Sequence, residues 1–306
     1  MRMVDGRPDR RPGGLFREGT KPARHIGVSE TRDGPLSGRI ELPHTILENA
    51  SRHVYHTTGF TRDEISDLCI LIWQAAAEAG KAAWPPGLGL YKSVVVTLSY
   101  LRRNRVQAEI AESFGVSQPT ISRAISAISP VLEKVLAGIA PTADEFGPQS
   151  QLVVDGTLLP CWSWASAPGL YSGKHKTTGM NVQIACTLEG EIAWISDPVE
   201  GSRHDMHCIG ESGVLSGLAS GSWIADKGYI GSGMITPIRK PAHRDLLDWE
   251  KEFNTAVNRI RYVVERAIAN FKTWRIMHTD YRRPLGTFSQ TISIVAGLYF
   301  YRMSAE

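Results

Sequence analysis

Apolar and polar positions follow two different periods along this chain. From about Leu42 to residue 136 the period is helical. Thr61-Arg-Asp-Glu64 stands before Ile65, Leu68, Cys69 and Ile72, which predicts a helix opened by a capping box. Gly80 and the Trp84-Pro-Pro-Gly segment end it. Val94, Val95, Leu98 and Leu101 mark the inner face of a second helix over about 90–103. Residues 107–123 then pattern as two short helices around Gly115. Ala111 allows close approach, Gly115 can take positive φ in the turn, and Val116 and Ile121 fill the seam. Pro119 falls in the first turn of the second helix, where its missing N–H costs little.

Beyond residue 150 the pattern shortens to strand-like runs. Gln151–Asp155, Asn181–Leu188, Glu191–Ser196 and Trp223–Asp226 read as strands, with Glu189-Gly190 as a hairpin turn. Helical spacing returns over about 256–274 and 291–301. The expected organisation is a helical domain over 41–136, a linker over 137–150 rich in Pro, Gly and acidic residues, and an α/β domain with a mixed sheet over 151–306. Residues 1–40 are rich in Arg, Gly, Pro and Asp and poor in large apolar residues. That composition predicts a disordered basic arm.

Composition narrows the classes. The 306 residues are 42% hydrophobic, and no apolar run approaches the ~18 residues of a membrane span. The N-terminus lacks the apolar segment of a secretory signal, so cytoplasm or nucleoid is the expected location. Cys69, Cys161, Cys186 and Cys208 have no CxxC spacing and read as small buried hydrophobes in a reducing compartment. The net charge of +3 permits a nucleic-acid partner without demanding one. Its distribution says more, because arginines cluster at 102–105, at 259–275 and at 282–283. The second helix of the 107–123 pair offers Ser117, Gln118, Thr120 and Arg123, residue types that bond phosphates and base edges.

Three acids stand in distinct local contexts: Asp155 in QLVVDGT, Asp226 in SWIADKGY and Glu265 in RIRYVVERAIANFK. The first two close apolar runs that read as strands, and the third lies on a helix. Converging carboxylates repel one another unless divalent metal neutralises them, which makes a Mg²⁺ site for phosphoryl transfer the leading reading. On the helix, Arg261 and Glu265 lie about 40° apart, Lys272 about 20° from Arg261, and Asn258 within about 60° of it. This stripe suits a metal ligand beside phosphate-binding cations. A solvated face with an Arg261–Glu265 pair is the plain alternative, and the two aspartates weigh against it. Asp205 in GSRHDM is either an auxiliary acid or the cap of a helix starting near Met206. Lys174, His175 and Lys176 fit phosphate contacts and a solvated hairpin edge equally. Trp162 and Trp164 alternate on one side of a strand-like segment, with packing as the default reading.

VVDGT at 153–157, YSGKHK at 171–176, GSRHDM at 201–206, ADKGYIG at 225–231 and RYVVERAIANFKTWR at 261–275 together resemble the DDE superfamily of transposases, of the insertion-sequence and Harbinger-like endonuclease type. The segment LRRNRVQAEIAESFGVSQPTISRAI resembles the helix-turn-helix that precedes the catalytic domain in that family. The resemblance spans about residues 45–303. It implies an RNase H-like catalytic domain and a catalytic triad of Asp155, Asp226 and Glu265. Around the glutamate the family carries Y-x2-R-x3-E-x6-K; Arg261, Glu265 and Lys272 fit it, and Asn258 stands at the tyrosine position.

The implied cofactor is a pair of Mg²⁺ (or Mn²⁺) ions about 3.5–4 Å apart, Asp155 bridging both and Asp226 and Glu265 each completing one. The implied partner is double-stranded DNA, at transposon terminal inverted repeats and at the target, with the chain forming a homo-oligomer on it. Arg261 and Lys272 are expected at the DNA backbone. The alternative is a domesticated relative that binds DNA without cutting, which predicts the loss of at least one acid.

Overall fold

The structure is a computed structural model that describes residues 55–80, 84–162, 166–217, 219 and 221–304. The chain divides into two units, 1–41 and 42–306, and the described residues all belong to the second. The basic arm and Trp164 lie outside the described residues.

Five helices come first: α1 (Tyr55–Thr58), α2 (Arg62–Glu78), α3 (Gly89–Arg103), α4 (Gln107–Phe114) and α5 (Gln118–Leu136). The capping box opens α2 as its sequence predicts. Glu64 N–H donates to Thr61 Oγ1 at 3.3 Å, and Glu64 Oε2 accepts from Thr61 N–H at 2.5 Å. Gly115 terminates α4 at φ 62°, a conformation costly for any residue with a Cβ. Ile121 and Ala111 close the α4–α5 seam, both buried, and Val116 packs half-buried beside them. Ser117, Gln118 and Arg123 are left exposed at the start of α5, with Thr120 half-exposed.

The sheet is built on β3 (Thr177–Cys186), which pairs antiparallel with β1 (Val153–Pro160), β2 (Tyr171–Ser172), β4 (Ile192–Ile195) and β5 (Val199–Glu200). Gly190 turns the β3–β4 hairpin at φ 96°. Trp223–Asp226 does not form a regular strand. Ile224 makes isolated parallel bridges to Val153 and Ile235, and the chain enters a tight turn at Asp226. Among the described residues the parallel component consists of those bridges and a third between Cys161 and Tyr281. Helices α6 (Asp205–Glu211), α7 (Asp248–Phe271) and α8 (Phe288–Met303) complete the fold.

Alternation along β1 assigns its two faces. Val153 and Leu159, with Val182 and Ile184 opposite, face Val264 and Phe271 of α7. Val154, with Ala185, faces a smaller cluster of Ile209, Trp223 and Tyr229. The larger cluster continues through α8 into α2, α3 and α5, so residues on both sides of 137–150 share one core. Several of the clustered arginines hold this junction. Arg102 donates to Thr273 Oγ1 at 2.7 Å and lies over the Trp274 ring. Arg282 donates to the Asn104 carbonyl at 2.6 Å. All four cysteines are buried, and among the described residues no helix is long and apolar enough to cross a membrane.

Candidate active site

The site forms where β1 loses its neighbour on one edge. Up to Val154 that edge bonds to the extended segment at Ile224, with Val154 N–H donating to the Ile224 carbonyl at 2.9 Å. Over Asp155–Thr157 the edge is open; it is taken up again where the Leu158 carbonyl accepts from Lys272 Nζ at 3.0 Å and the Pro160 carbonyl accepts from Tyr281 N–H at 3.1 Å. Asp155 is the third residue of β1, opposite Ile184, and so lies within the strand rather than at its end. The sequence hid this because Gly156 reads as a break, although β3 keeps pairing through Pro160. The Asp155 carboxylate curls to accept from the N–H of Gly156 at 2.9 Å.

Asp226 reaches the same edge from the neighbouring segment. It caps the short turn Lys227–Tyr229, accepting from Gly228 N–H at 2.6 Å. Asp205 arrives from the other face of the sheet. It is the first residue of α6, with His204 in the capping position, so its carboxylate is not spent as a cap. It is 9% exposed, accepts from Lys174 Nζ at 3.0 Å and from Asn181 Nδ2 at 3.2 Å. Gly156 permits that approach: a Cβ there would lie 2.4 Å from Asp205 Oδ1 and 2.9 Å from Gln183 Nε2. The network ends at Tyr229, whose hydroxyl donates to Gln183 Oε1.

These acids feel one another. Burial, then the charge of Asp226, and in smaller part that of Asp205, push the Asp155 carboxyl up to about 6, against the pull of Arg261 and the Gly156 N–H. Arg261 Nη2 stands 3.6 Å from Asp155 Oδ2. Its Nε is buried with no hydrogen-bond partner, an orphaned donor facing an acidic site.

The α7 stripe divides. Arg261 reaches the site. Glu265, one turn on, is exposed and is not among the charges acting on Asp155. Lys272 follows the last turn of α7, where its Nζ donates to the Leu158 carbonyl at 3.0 Å, tying the helix to β1. Asn258 is exposed. The structure thus brings together Asp155, Asp226, Asp205 and Arg261. Among the described residues no three His, Cys, Asp or Glu side chains are grouped closely enough to hold an ion. Sequence reasoning missed the partners of Asp205. A signal was present: Asn181 and Gln183, two apart within the apolar half of the strand, place two amides on one sheet face. Lys174, weighed as a phosphate contact or a hairpin edge, is in fact the ion-pair partner of Asp205.

At the start of α5, Ser117 Oγ and Thr120 Oγ1 lie 3.0 Å apart, and Gln118 Nε2 donates to Gln107 Oε1 at 2.8 Å. Arg123 folds back on the Pro119 carbonyl at 3.2 Å. These bonds are local and exposed, and such bonds are readily exchanged for others.

Residues 154–299 match the profile of the DDE superfamily endonuclease, and residues 88–138 match the helix-turn-helix of DDE superfamily endonuclease. A relative from Streptomyces albus G, named as a transposase for insertion sequence element IS112, is 28% identical over 72% of this chain and 83% of its own. Another from Microchaete diplosiphon, named as a transposase for insertion sequence element IS702, is 25% identical over 84% of this chain and 96% of its own. No solved structure matches the chain.

Proposed function

This chain belongs to the DDE superfamily of helix-turn-helix transposase endonucleases, and from that premise we propose that it cuts DNA at transposon ends and joins those ends to target DNA. Asp155 and Asp226 are the proposed metal ligands, with Glu265 as the third acid and Asp205 as an auxiliary one. The catalytic part is read as RNase H-like. The observation that carries the proposal is the meeting of Asp155 and Asp226 at the open edge of β1, with the orphaned Arg261 Nε beside them.

The residues fit a divalent cation. They offer hard carboxylate oxygens in mutual repulsion, and Mg²⁺ keeps several waters of its own, so few protein ligands suffice. Bound there, Mg²⁺ or Mn²⁺ would activate a water or hydroxyl and offset charge on the leaving oxygen. Arg261, 3.6 Å from Asp155, sets a guanidinium beside the acids, where it would offset the charge of a phosphate brought to them. Lys174 and Asn181 hold Asp205 in place beneath Gly156. In the first step water attacks the phosphodiester, the P–O3′ bond breaks, and a 3′-hydroxyl is freed. That hydroxyl then attacks a target phosphodiester, forming one P–O3′ bond as another breaks.

All three acids of the triad are present, which weighs against a domesticated form that binds without cutting. Purified protein, incubated with Mg²⁺ or Mn²⁺ and DNA bearing the inverted repeats that flank its gene, should release 3′-hydroxyl ends. DNA that is bound but stays intact with either metal would favour the non-cutting form.

The exposed start of α5 is the proposed reader of sequence. Arg123→Ala should weaken binding to the terminal repeat relative to unrelated DNA by roughly 1–3 kcal/mol, if Arg123 reaches a base edge. Titrations of both DNAs at one salt concentration check this. Equal losses on both would make Arg123 a phosphate contact.

A further inference from the structure

Helix α7 carries a second surface that the acid site does not use. Trp249, Phe253, Ala256, Ile260 and Val263 recur at alternating steps of four and three residues. Trp249 is 59% exposed, Phe253 38% and Ile260 40%, Ala256 is exposed and Val263 half-buried. The face that α7 buries in its own body is a different one, carried by Asn254, Val257, Val264 and Phe271 and lying roughly 90° around the axis. The 4–3 spacing is the seam of a two-helix coiled coil, and solvent exposure gives such a row of side chains no stabilisation.

The charges beside the seam choose the partner. Glu252 and Arg259 flank the same edge, seven residues apart, and both are exposed. The ion pairs of α7 among the described residues use other groups: Glu250 with Arg244, Asp248 with Lys251, and Arg261 with Asp155. In an antiparallel pairing, Phe253 meets Ala256 of a second copy, large against small, and Trp249 meets Ile260 of that copy. Glu252 then falls beside Arg259 of the second copy, and Arg259 beside its Glu252. A parallel pairing would need the opposite flank, which holds Glu250, Val257 and Val264 and is buried. Glu252 balances Arg259 on this flank and Lys251 pairs with Asp248, so the stretch offers no net positive charge to a nucleic-acid backbone.

We propose that this stripe of α7 is a two-fold seam between two copies of the chain, paired antiparallel through Trp249, Phe253, Ala256 and Ile260. The seam is short, which sets the dissociation constant on the order of micromolar. It places the two Glu265 positions roughly 32 Å apart along the paired helices. The proposal stands whether or not the chain cuts DNA.

Sedimentation equilibrium of the full chain without DNA, over ~1–100 µM, tests it. Wild type should be a dimer at the upper end. Phe253→Glu with Ile260→Glu should be monomeric with an unchanged melting temperature. Glu252→Arg alone and Arg259→Glu alone should each weaken association about tenfold, because every like-charge contact occurs twice. The two together should restore it to within about threefold. A monomer at every concentration would overturn the proposal, as would a double charge swap that restores nothing. It would also fall if Glu252→Arg strengthened DNA binding and Arg259→Glu weakened it with the oligomeric state unchanged, since the stripe would then be a DNA face.

Discussion

Asp155→Asn is expected to lower metal-dependent DNA cleavage by at least roughly a thousandfold while leaving DNA affinity nearly intact. The substitution keeps the shape of the side chain and its contact with the Gly156 N–H, and removes only the charge that would hold a cation. Charge stabilisation of several kcal/mol then disappears from the reaction, and each 1.36 kcal/mol is a factor of ten. On the proposed reading DNA affinity comes from the helix-turn-helix and from cations elsewhere, so it should persist.

The same variant has a second, opposite signature. In the folded protein Asp155 titrates near 6, above its ordinary value of 3.8, because burial and the Asp226 charge disfavour the ionised form. A raised carboxyl binds its proton more tightly in the folded state. Its stabilising contribution is therefore full below about pH 4 and is lost as pH rises through 6. With a chelator present, Asp155→Asn should melt higher than wild type at pH 7–8, by up to ~3 kcal/mol, and the gap should close near pH 4. Calorimetry at both pH values reads it. A variant that melts lower at pH 8 would show that the carboxylate is not under electrostatic stress.

The second large effect falls on stability. Gly201→Ala should cost about 3 kcal/mol, because a Cβ there would stand 2.4 Å from the Gly179 carbonyl oxygen and 2.8 Å from that of Leu170. Both contacts are with backbone, which cannot rotate away. The segment that would be displaced leads into α6, and α6 begins with Asp205. Denaturant unfolding measures the loss. A cost under ~1 kcal/mol would mean that the β5–α6 connection is looser than its packing indicates.

Local rules made most of the helical part legible. Thr61 and Glu64 announce a helix start, and Gly115 with Pro119 announces a turn between two helices, because capping and positive φ are properties of a few adjacent residues. The long helix carrying Arg261 was legible by its spacing, although it begins at Asp248, earlier than its apolar positions suggested. Asp155 and Asp226 were legible as acids following apolar runs. Their meeting place was not, since it depends on where the Ile224 segment leaves β1, and a single bridge leaves no pattern in sequence. The Asp205 network was invisible for a related reason. It joins residues from α6, the β2–β3 turn and β3, and it packs against β1 only because Gly156 has no side chain. Lys272 shows the limit of helical-wheel geometry, which grouped it with Arg261 and Glu265 but could not say that the helix would end at Phe271 and that Leu158 would hold its amino group.

The proposed metal site can be mapped directly with Fe²⁺ in place of Mg²⁺. Hydroxyl radicals generated at bound Fe²⁺ cut the nearest backbone, and the fragments identify it. Cuts at residues 155 and 226, with a third near 265, suppressed by excess Mg²⁺ and absent in Asp155→Asn, are the predicted result. Cuts confined to other segments, or no Mg²⁺-sensitive cutting, would contradict a divalent-metal centre at the open edge of β1.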